Sequence, residues 1–361
     1  MISIGTMSGT SCDGIDVSVI DSDGEQKVKI LNNFYLKYSE DFKEKFFKLR
    51  KKILNVKDLE NNKVLINSFS REVTLKHTEA IKKVLQISNN PKVNIIGFHG
   101  VTLLHDPKKK ISFQLGVPEL LAQNFNTDVI FNFRDNDILH GGEGAPLATV
   151  FHEYILKNLK KENDSVIINI GGIANGSYIL NNILYSNDIG PGNCLLDEWI
   201  RQNSKKKMDI DGSISSKGEC NKVIFEDFLN HYQYHSTNRS LDINDFNISQ
   251  FRGLTLEDGA KTLVCITAEL ILDFFKKLDK EKKAIVLCGG GRKNKTLVNY
   301  LKKKSKLTIE IIDKYSFDGD FIESQAFAFL AIRSLRNKFL SYPTTTGVSK
   351  PATGGKLYKG S

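Results

Sequence analysis

The chain has 361 residues, enough for two domains with sizeable cores. A hydrophobic content of 40% and a charged content of 26% are those of a globular protein and exclude a disordered or fibrous chain. The net charge of +9 comes with scattered lysines, in short runs at 108–110, 205–207 and 302–304, and no aromatics interleave with them; this pattern argues against a nucleic-acid groove.

In chain order, residues 2–7 read as a strand and 15–20 as a returning strand, with a Gly/Ser/Thr-rich tip between them. A third strand follows at 27–35. Helical apolar spacing covers 41–53 and 57–86, through Leu59, Val64, Leu65, Phe69, Val73, Ile81, Val84 and Leu85. A strand at 93–98 ends at Gly97-Phe98-His99-Gly100, and strands at 111–115 and 128–133 flank a helix near 118–125. The pattern then resets. A helix at 145–159 leads to a buried strand at 165–170 ending in Gly171-Gly172, then to a hairpin, 174–180 with 183–186, turned by Asn181-Asn182. Helices at 192–202, 220–233 and 255–278 precede a buried strand at 284–288 that ends in Gly289-Gly290-Gly291. A helix at 293–303, a strand at 308–312 and a long helix at 322–337 complete the pattern. The tail, 341–361, is Gly/Thr/Lys-rich and expected to be partly loose, with Thr346-Gly347 as a docking point.

Strands followed by helices, with hairpins in front of them, imply an α/β fold with mixed sheets. Both halves open with hairpin strands and a glycine turn, at 1–20 and at 165–186. That repetition suggests a duplicated, two-lobed fold with ligands in a central cleft. The expected division is a first lobe at 1–133, completed by 338–361, and a second at 134–337.

Five cysteines, Cys12, Cys194, Cys220, Cys265 and Cys288, include no Cys-x-x-Cys pair, and the odd count implies reduced thiols in a cytoplasmic protein. The first residues run straight into a strand without a leader pattern, and no apolar run reaches membrane-spanning length, so no membrane partner is expected. The seven histidines lack metal-ligand spacing.

The segment Gly9-Thr10-Ser11-Cys12-Asp13-Gly14-Ile15-Asp16 carries the strongest chemical signal. Its glycines, hydroxyls and exposed backbone N–H groups suit a phosphate, and Asp13 or Asp16 suits a hydrated cation. An ordinary hairpin turn is the plainer explanation. No Gly-Lys-Ser/Thr follows, as a Walker A loop requires, and no helix follows the glycines as in a dinucleotide fingerprint. Further glycine turns at Gly171-Gly172, Gly190-Pro191-Gly192 and Gly289-Gly290-Gly291 also close apolar strands, fitting a site that wraps phosphates with backbone atoms. Asp188 precedes the helix at 192 by too many residues for a simple cap, which favours a general base. Arg134, with Asp135, Asp137 and the 141–146 segment, suits a bidentate grip on a carboxylate or a surface ion pair. His99 suits a structural hydrogen bond or a ligand contact equally. Glu323 opens the last helix, where the dipole favours a carboxylate in any case. His105, His140, Cys12 and Cys194 read as structural or incidental.

Together these motifs resemble the anhydro-N-acetylmuramic acid kinases, of the sugar kinase/Hsp70/actin-like ATPase superfamily with its ribonuclease H-like fold. The resemblance runs from Gly5 to Lys359. It rests on residues 7–16; Gly97-Phe98-His99-Gly100; Phe133-Arg134 with Asp137-Ile138; Gly141 to Leu147; and Asn169 to Asn175. It continues through Asp188 with Gly190-Pro191-Gly192-Asn193; Ser236-Thr237 with Arg239; Cys288 to Gly291; and Ala326-Phe327-Ala328. It implies a step of peptidoglycan recycling: 1,6-anhydro-N-acetylmuramic acid, ATP and water give N-acetylmuramic acid 6-phosphate and ADP, with the anhydro ring opened. It further implies Asp188 as general base and Glu323 as a second catalytic carboxylate. ATP would lie on residues 9–16, Gly171, Gly172 and 289–291, with Mg²⁺ at Asp13. The sugar would lie on His99, Arg134, Asp137, Gly190 and Asn193. Closure of the two lobes would align sugar, water and γ-phosphate, and the family implies a homodimer.

Five positions depart from the family pattern: Val101 and Glu143 where Gln is usual, Asn132 for Asp, Ile189 for Thr, and Asn238 for Gly. Changes on the sugar side leave open a kinase for another amino sugar, or a nucleotide-binding sensor without catalysis.

Overall fold

The computed structural model describes residues 1–232, 241–278 and 281–360. The chain forms two compact units, Met1–Tyr154 with Phe321–Ser361, and Ile155–Asp320.

The first unit opens with an antiparallel meander of β1 (Ile2–Ser8), β2 (Gly14–Ser22) and β3 (Val28–Lys37). Ile4, Ile15, Val17, Val19 and Ile20 are fully buried, as β-branched residues on a covered sheet should be. Helix α1 (Glu40–Arg50) starts where Ser39 Oγ accepts from the Phe42 N–H, and it seats Phe42, Phe46 and Leu49 in the core. After α2 (Val56–Asn61) and α3 (Lys63–Ile87), β4 (Ile95–Asp106) joins parallel to β1. It outruns the strand expected at 93–98 because its second half pairs in a hairpin with β5 (Ile111–Leu115). Helix α4 (Pro118–Phe125) then leads to β6 (Val129–Phe131), parallel to β4, followed by α5 (Asp135–Leu139) and α6 (Thr149–Asn158). The helix expected from 145 thus begins four residues later, after the cis Ala145-Pro146 bond.

The second unit repeats the plan. β7 (Ser165–Ile170), β8 (Ile173–Leu180) and β9 (Ile183–Pro191) form a meander. Helices α7 (Cys194–Asn203), α8 (Lys222–His231) and α9 (Leu256–Lys276) intervene before β10 (Ala284–Cys288), which lies parallel to β7. After α10 (Lys295–Lys304), β11 (Thr308–Ile311) adds parallel to β10. The sheet orders, β3-β2-β1-β4-β6 and β9-β8-β7-β10-β11, are the same arrangement of an antiparallel meander followed by two parallel strands. This is the mixed α/β, ribonuclease H-like plan that the sequence motifs imply. The buried ammonium of Lys282 donates to the carbonyls of Glu162 (2.7 Å), Asn163 (2.9 Å) and Ile179 (2.6 Å), tying three segments at the foot of this sheet.

The chain then returns to the first unit through α11 (Ile322–Leu335), α12 (Pro343–Thr346) and β12 (Lys356–Tyr358). Residues 134–154 and 321–337 therefore belong with the first unit, not with the second as the sequence suggested. The cause is α11, which lies against β1 and β4 with backbone nearly touching backbone. A Cβ on Gly5 would stand 2.0 Å from Ser324 O, and one on Gly97 2.3 Å from Phe327 O. Ser3 Oγ donates to Ala328 O at 2.8 Å, and the Ser18 and Ser324 hydroxyls bond at 2.7 Å. Nor is the tail loose: β12 closes the sheet edge on β6, and Thr346 and Val348 are buried. All five cysteines are free thiols, and among the described residues no helix is long and apolar enough to cross a membrane.

Gly5→Ala should force α11 off the sheet and lower stability by about 3 kcal/mol, by analogy with overpacked cores; chemical denaturation of both proteins measures it.

Candidate active site

The candidate residues fall into two groups, one in each unit. In the first, β1 and β2 converge on the 9–13 tip. Cys12 takes a left-handed conformation (φ 52°), and its N–H donates to Gly9 O at 2.9 Å; Ser8 Oγ donates to Gly14 O at 2.8 Å. Burial pushes the Cys12 thiol up to about 12, so it is neutral and unreactive near pH 7. Two side chains of α1 reach the tip: the Lys43 ammonium is ion-paired with Asp13, and Arg50 Nη1 lies 3.4 Å from Thr10 O.

Nearby on the same sheet, β4 delivers His99 and the turn after β6 delivers Arg134. Arg134 donates through Nε (3.2 Å) and Nη2 (2.9 Å) to His99 Nε2, and through Nη1 (2.6 Å) to Gly144 O. His99 must therefore keep Nε2 unprotonated, its Nδ1–H facing Gly100 O at 3.2 Å. Burial, and then the Arg134 charge, hold His99 well below its ordinary pKa. Burial also lowers Arg134 to about 10, against the pull of Glu323 and Asp137. Glu323, in the first turn of α11, is half-buried; desolvation raises its carboxyl above the usual range and the Arg134 charge only partly offsets this. Among the described residues it has no ion-pair partner within 4 Å.

Asp137 is 2% exposed, and both its oxygens are engaged, Oδ1 by the Gly144 N–H (2.6 Å) and Oδ2 by the Thr346 hydroxyl (2.5 Å). Its carboxylate pins the 141–144 loop and the C-terminal segment together, a supporting place rather than an open ligand contact.

In the second unit, three turns meet at Asn193. The N–H groups of Gly192 (2.9 Å) and Asn193 (2.8 Å) donate to the carbonyls of Gly172 and Gly171, and Asn193 Nδ2 donates to Ile170 O at 3.2 Å. Gly289 has φ 76°, and a Cβ there would stand 2.4 Å from Asn169 Oδ1. Gly290 and Gly291 bring their backbone beside the Asn193 side chain. Arg292, 4% exposed, braces this turn: it bonds Asp313 in bidentate fashion (2.6 and 2.8 Å), Asp320 at 2.6 Å and Gly289 O at 3.0 Å. Asp188 lies within β9, which runs on to Pro191, and its Oδ2 accepts the Leu241 N–H at 2.7 Å. Tyr232 donates to the neighbouring Ile189 O at 2.8 Å.

A family model for anhydro-N-acetylmuramic acid kinase matches residues 1–360. The chain belongs to the anhydro-N-acetylmuramic acid kinase family. A relative of that name from Pelagibacter ubique (strain HTCC1062) is 43% identical, covering 99% of this chain and 98% of the relative. Another, from Agrobacterium fabrum (strain C58 / ATCC 33970), is 36% identical over 99% of this chain and 98% of its own length. Among solved structures, component A of (R)-2-hydroxyglutaryl-CoA dehydratase from Acidaminococcus fermentans is similar over 93% of this chain and 99% of that one, at 12% identity and a TM-score of 0.48.

Against the anhydro-N-acetylmuramic acid kinase pattern, the structure sorts the departures. Val101 and Ile189 are fully buried in apolar cores, so they alter packing and not a ligand surface. Asn132 has φ 57°, a conformation asparagine tolerates well. Glu143 lies in the loop fixed by Asp137, its N–H on Thr346 O at 2.8 Å. Asn238, with Ser236, Thr237 and Arg239, lies outside the described residues. The sequence reading missed Lys43, Arg50 and Arg292. Arg292 directly follows the Gly289-Gly290-Gly291 turn and was open to notice; Lys43 and Arg50 sit among ordinary surface-like charges of a helix. The donor set does not fit a metal bound directly by Asp13, because Lys43 already holds that carboxylate. Among the described residues no group of three or more His, Cys, Asp or Glu side chains is placed to hold a metal ion.

A raised carboxyl in the folded state means that ionised Glu323 costs stability at pH values above both its folded and unfolded pKa, and that acidification removes the cost. Glu323→Gln should therefore melt at a higher temperature than the parent at pH 8. The difference should shrink as pH falls below the folded-state value and vanish below the unfolded-state value, read by thermal unfolding across pH.

Proposed function

We propose that this chain converts 1,6-anhydro-N-acetylmuramic acid, ATP and water to N-acetylmuramic acid 6-phosphate and ADP, as a step of cell-wall recycling in the cytoplasm. The match to the kinase family across residues 1–360 carries this reading. Asp188 takes a proton from water as its oxygen attacks C1. The C1–O6 bond breaks, its electron pair remains on O6, and O6 attacks the γ-phosphorus as ADP leaves. The Leu241 N–H fixes the orientation of the Asp188 carboxylate, and the Tyr232 hydroxyl braces the strand beside it. Glu323, without an ion-pair partner among the described residues and with its carboxyl raised by desolvation, is the second carboxylate of this reading. In this reading the 9–16 tip is the phosphate-binding segment of the first unit, and the glycine turns at 171–172 and 289–291 are those of the second. Arg134 and His99 are the sugar-side groups, Arg134 keeping its charge for a substrate carboxylate. In the second unit Gly190 and Asn193 are the sugar-binding residues of this reading; in the first, Asp137 supports the loop behind Arg134. Magnesium belongs to the nucleotide in this reading, entering with the phosphates and keeping its waters.

ADP release should depend on the anhydro sugar, and mass spectrometry should find that the product has gained both water and a phosphoryl group. Asp188→Asn should lose about 10³-fold in kcat; a variant as fast as the parent removes Asp188 from the mechanism.

The same reading makes the chain a homodimer. Leu54, just before α2, and Val56, Val64, Leu65 and Leu75 along α2 and α3 leave apolar side chains exposed, up to 86% at Val64. Light scattering should give twice the chain mass, and Val64→Glu with Leu65→Glu should halve it.

A further inference from the structure

Lysine is costly to bury and is rarely found so without a partner. Lys43 is 9% exposed, while Asp13, its partner at the 9–13 tip, keeps half its side chain in solvent. The cation thus sits inward and the carboxylate outward. Arg50 lies seven residues further along α1, two turns on and hence on the same face, and it reaches the carbonyl of Thr10. Phe42, Phe46 and Leu49 anchor that helix in the core, so the two cations project from a fixed support. Among the described residues Arg50 has no carboxylate within 4 Å.

We propose that Lys43 and Arg50 are positioning residues of the phosphate tip: α1 holds Asp13 and Thr10 from behind so that the tip keeps the shape that receives a nucleotide phosphate, and Asp13 serves that shape as the partner of an ammonium, not as a metal ligand. The inference rests on the nucleotide reading of this tip. Lys43 is the stronger element, since a charge-assisted bond to a carboxylate outweighs one at 3.4 Å to a carbonyl.

The test is calorimetric titration of ADP into the full-length chain, with Mg²⁺ and again in EDTA, beside thermal unfolding of each protein. Lys43→Met should weaken ADP binding about tenfold in both conditions, Lys43→Arg should restore most of it, and Arg50→Met should cost less. Asp13→Asn should weaken binding equally with and without Mg²⁺. Unchanged ADP affinity in Lys43→Met and Arg50→Met, whatever their melting temperatures, overturns the proposal. So does an Asp13→Asn protein that loses only the Mg²⁺-dependent part, which would make Asp13 a metal ligand. If Lys43→Met does not fold, Lys43→Arg and Arg50→Met decide on the same readout. A parent chain that binds no ADP overturns the nucleotide reading itself and takes this inference with it, distinguishable because the parent and not the variants fails.

Discussion

The contact between α11 and the backbone of β1 and β4 governs the first unit. It exists only because positions 5 and 97 carry no side chain, so that a helix of Ala, Phe and Leu can lie on the strands at backbone distance. From it follow the position of Glu323 in the first turn of that helix, the tilted contact of Phe327 with His99 at 4.6 Å between ring centres, and the place of Phe327 against Phe133, the residue before Arg134. One steric allowance thus sets a catalytic candidate, a buried imidazole and a guanidinium in a common frame.

Within that frame the electrostatics are deliberately unfavourable to charge. His99 is kept neutral because its only open lone pair is spent on Arg134 and its surroundings are dry. Arg134 is desolvated enough to lose some of its ordinary basicity, and Glu323 is ionised less easily than a solvated glutamate. Such groups reward a ligand that supplies the missing opposite charge or hydrogen bond, because the protein has already excluded the water that would compete. Asp137, by contrast, is fully satisfied internally, which is why its role is to hold a loop.

Local chemistry explains how much was legible beforehand. Strand and helix periods, the Asn181-Asn182 turn and the glycine turns are properties of adjacent residues, and the duplicated arrangement of hairpins could be read from them. The return of α11 could not, because its partner glycines lie more than three hundred and two hundred residues earlier in sequence, and nothing at 322–337 names them. The same holds for β12, a three-residue strand within a Gly/Lys-rich tail that is ordered by its pairing with β6. Asp13 looked like a metal ligand because its sequence neighbours are glycine and hydroxyl residues; the ammonium that claims it comes from a helix thirty residues away. Val101 and Ile189 looked like changes in a sugar pocket because the motifs containing them are functional, whereas their side chains point into cores.

The order of segments along the chain also has a consequence for biosynthesis. The second unit is one continuous stretch, Ile155–Asp320, whereas the first needs α11 and β12 from the last stretch of the chain. On the ribosome the second unit can close as soon as its own residues have emerged, while the sheet begun by β1 must wait, one face without α11, until α11 and β12 have emerged as well. β1 and β4 are therefore made before the second unit yet covered after it, and in that interval their exposed face is a part of the nascent chain in need of protection from other molecules.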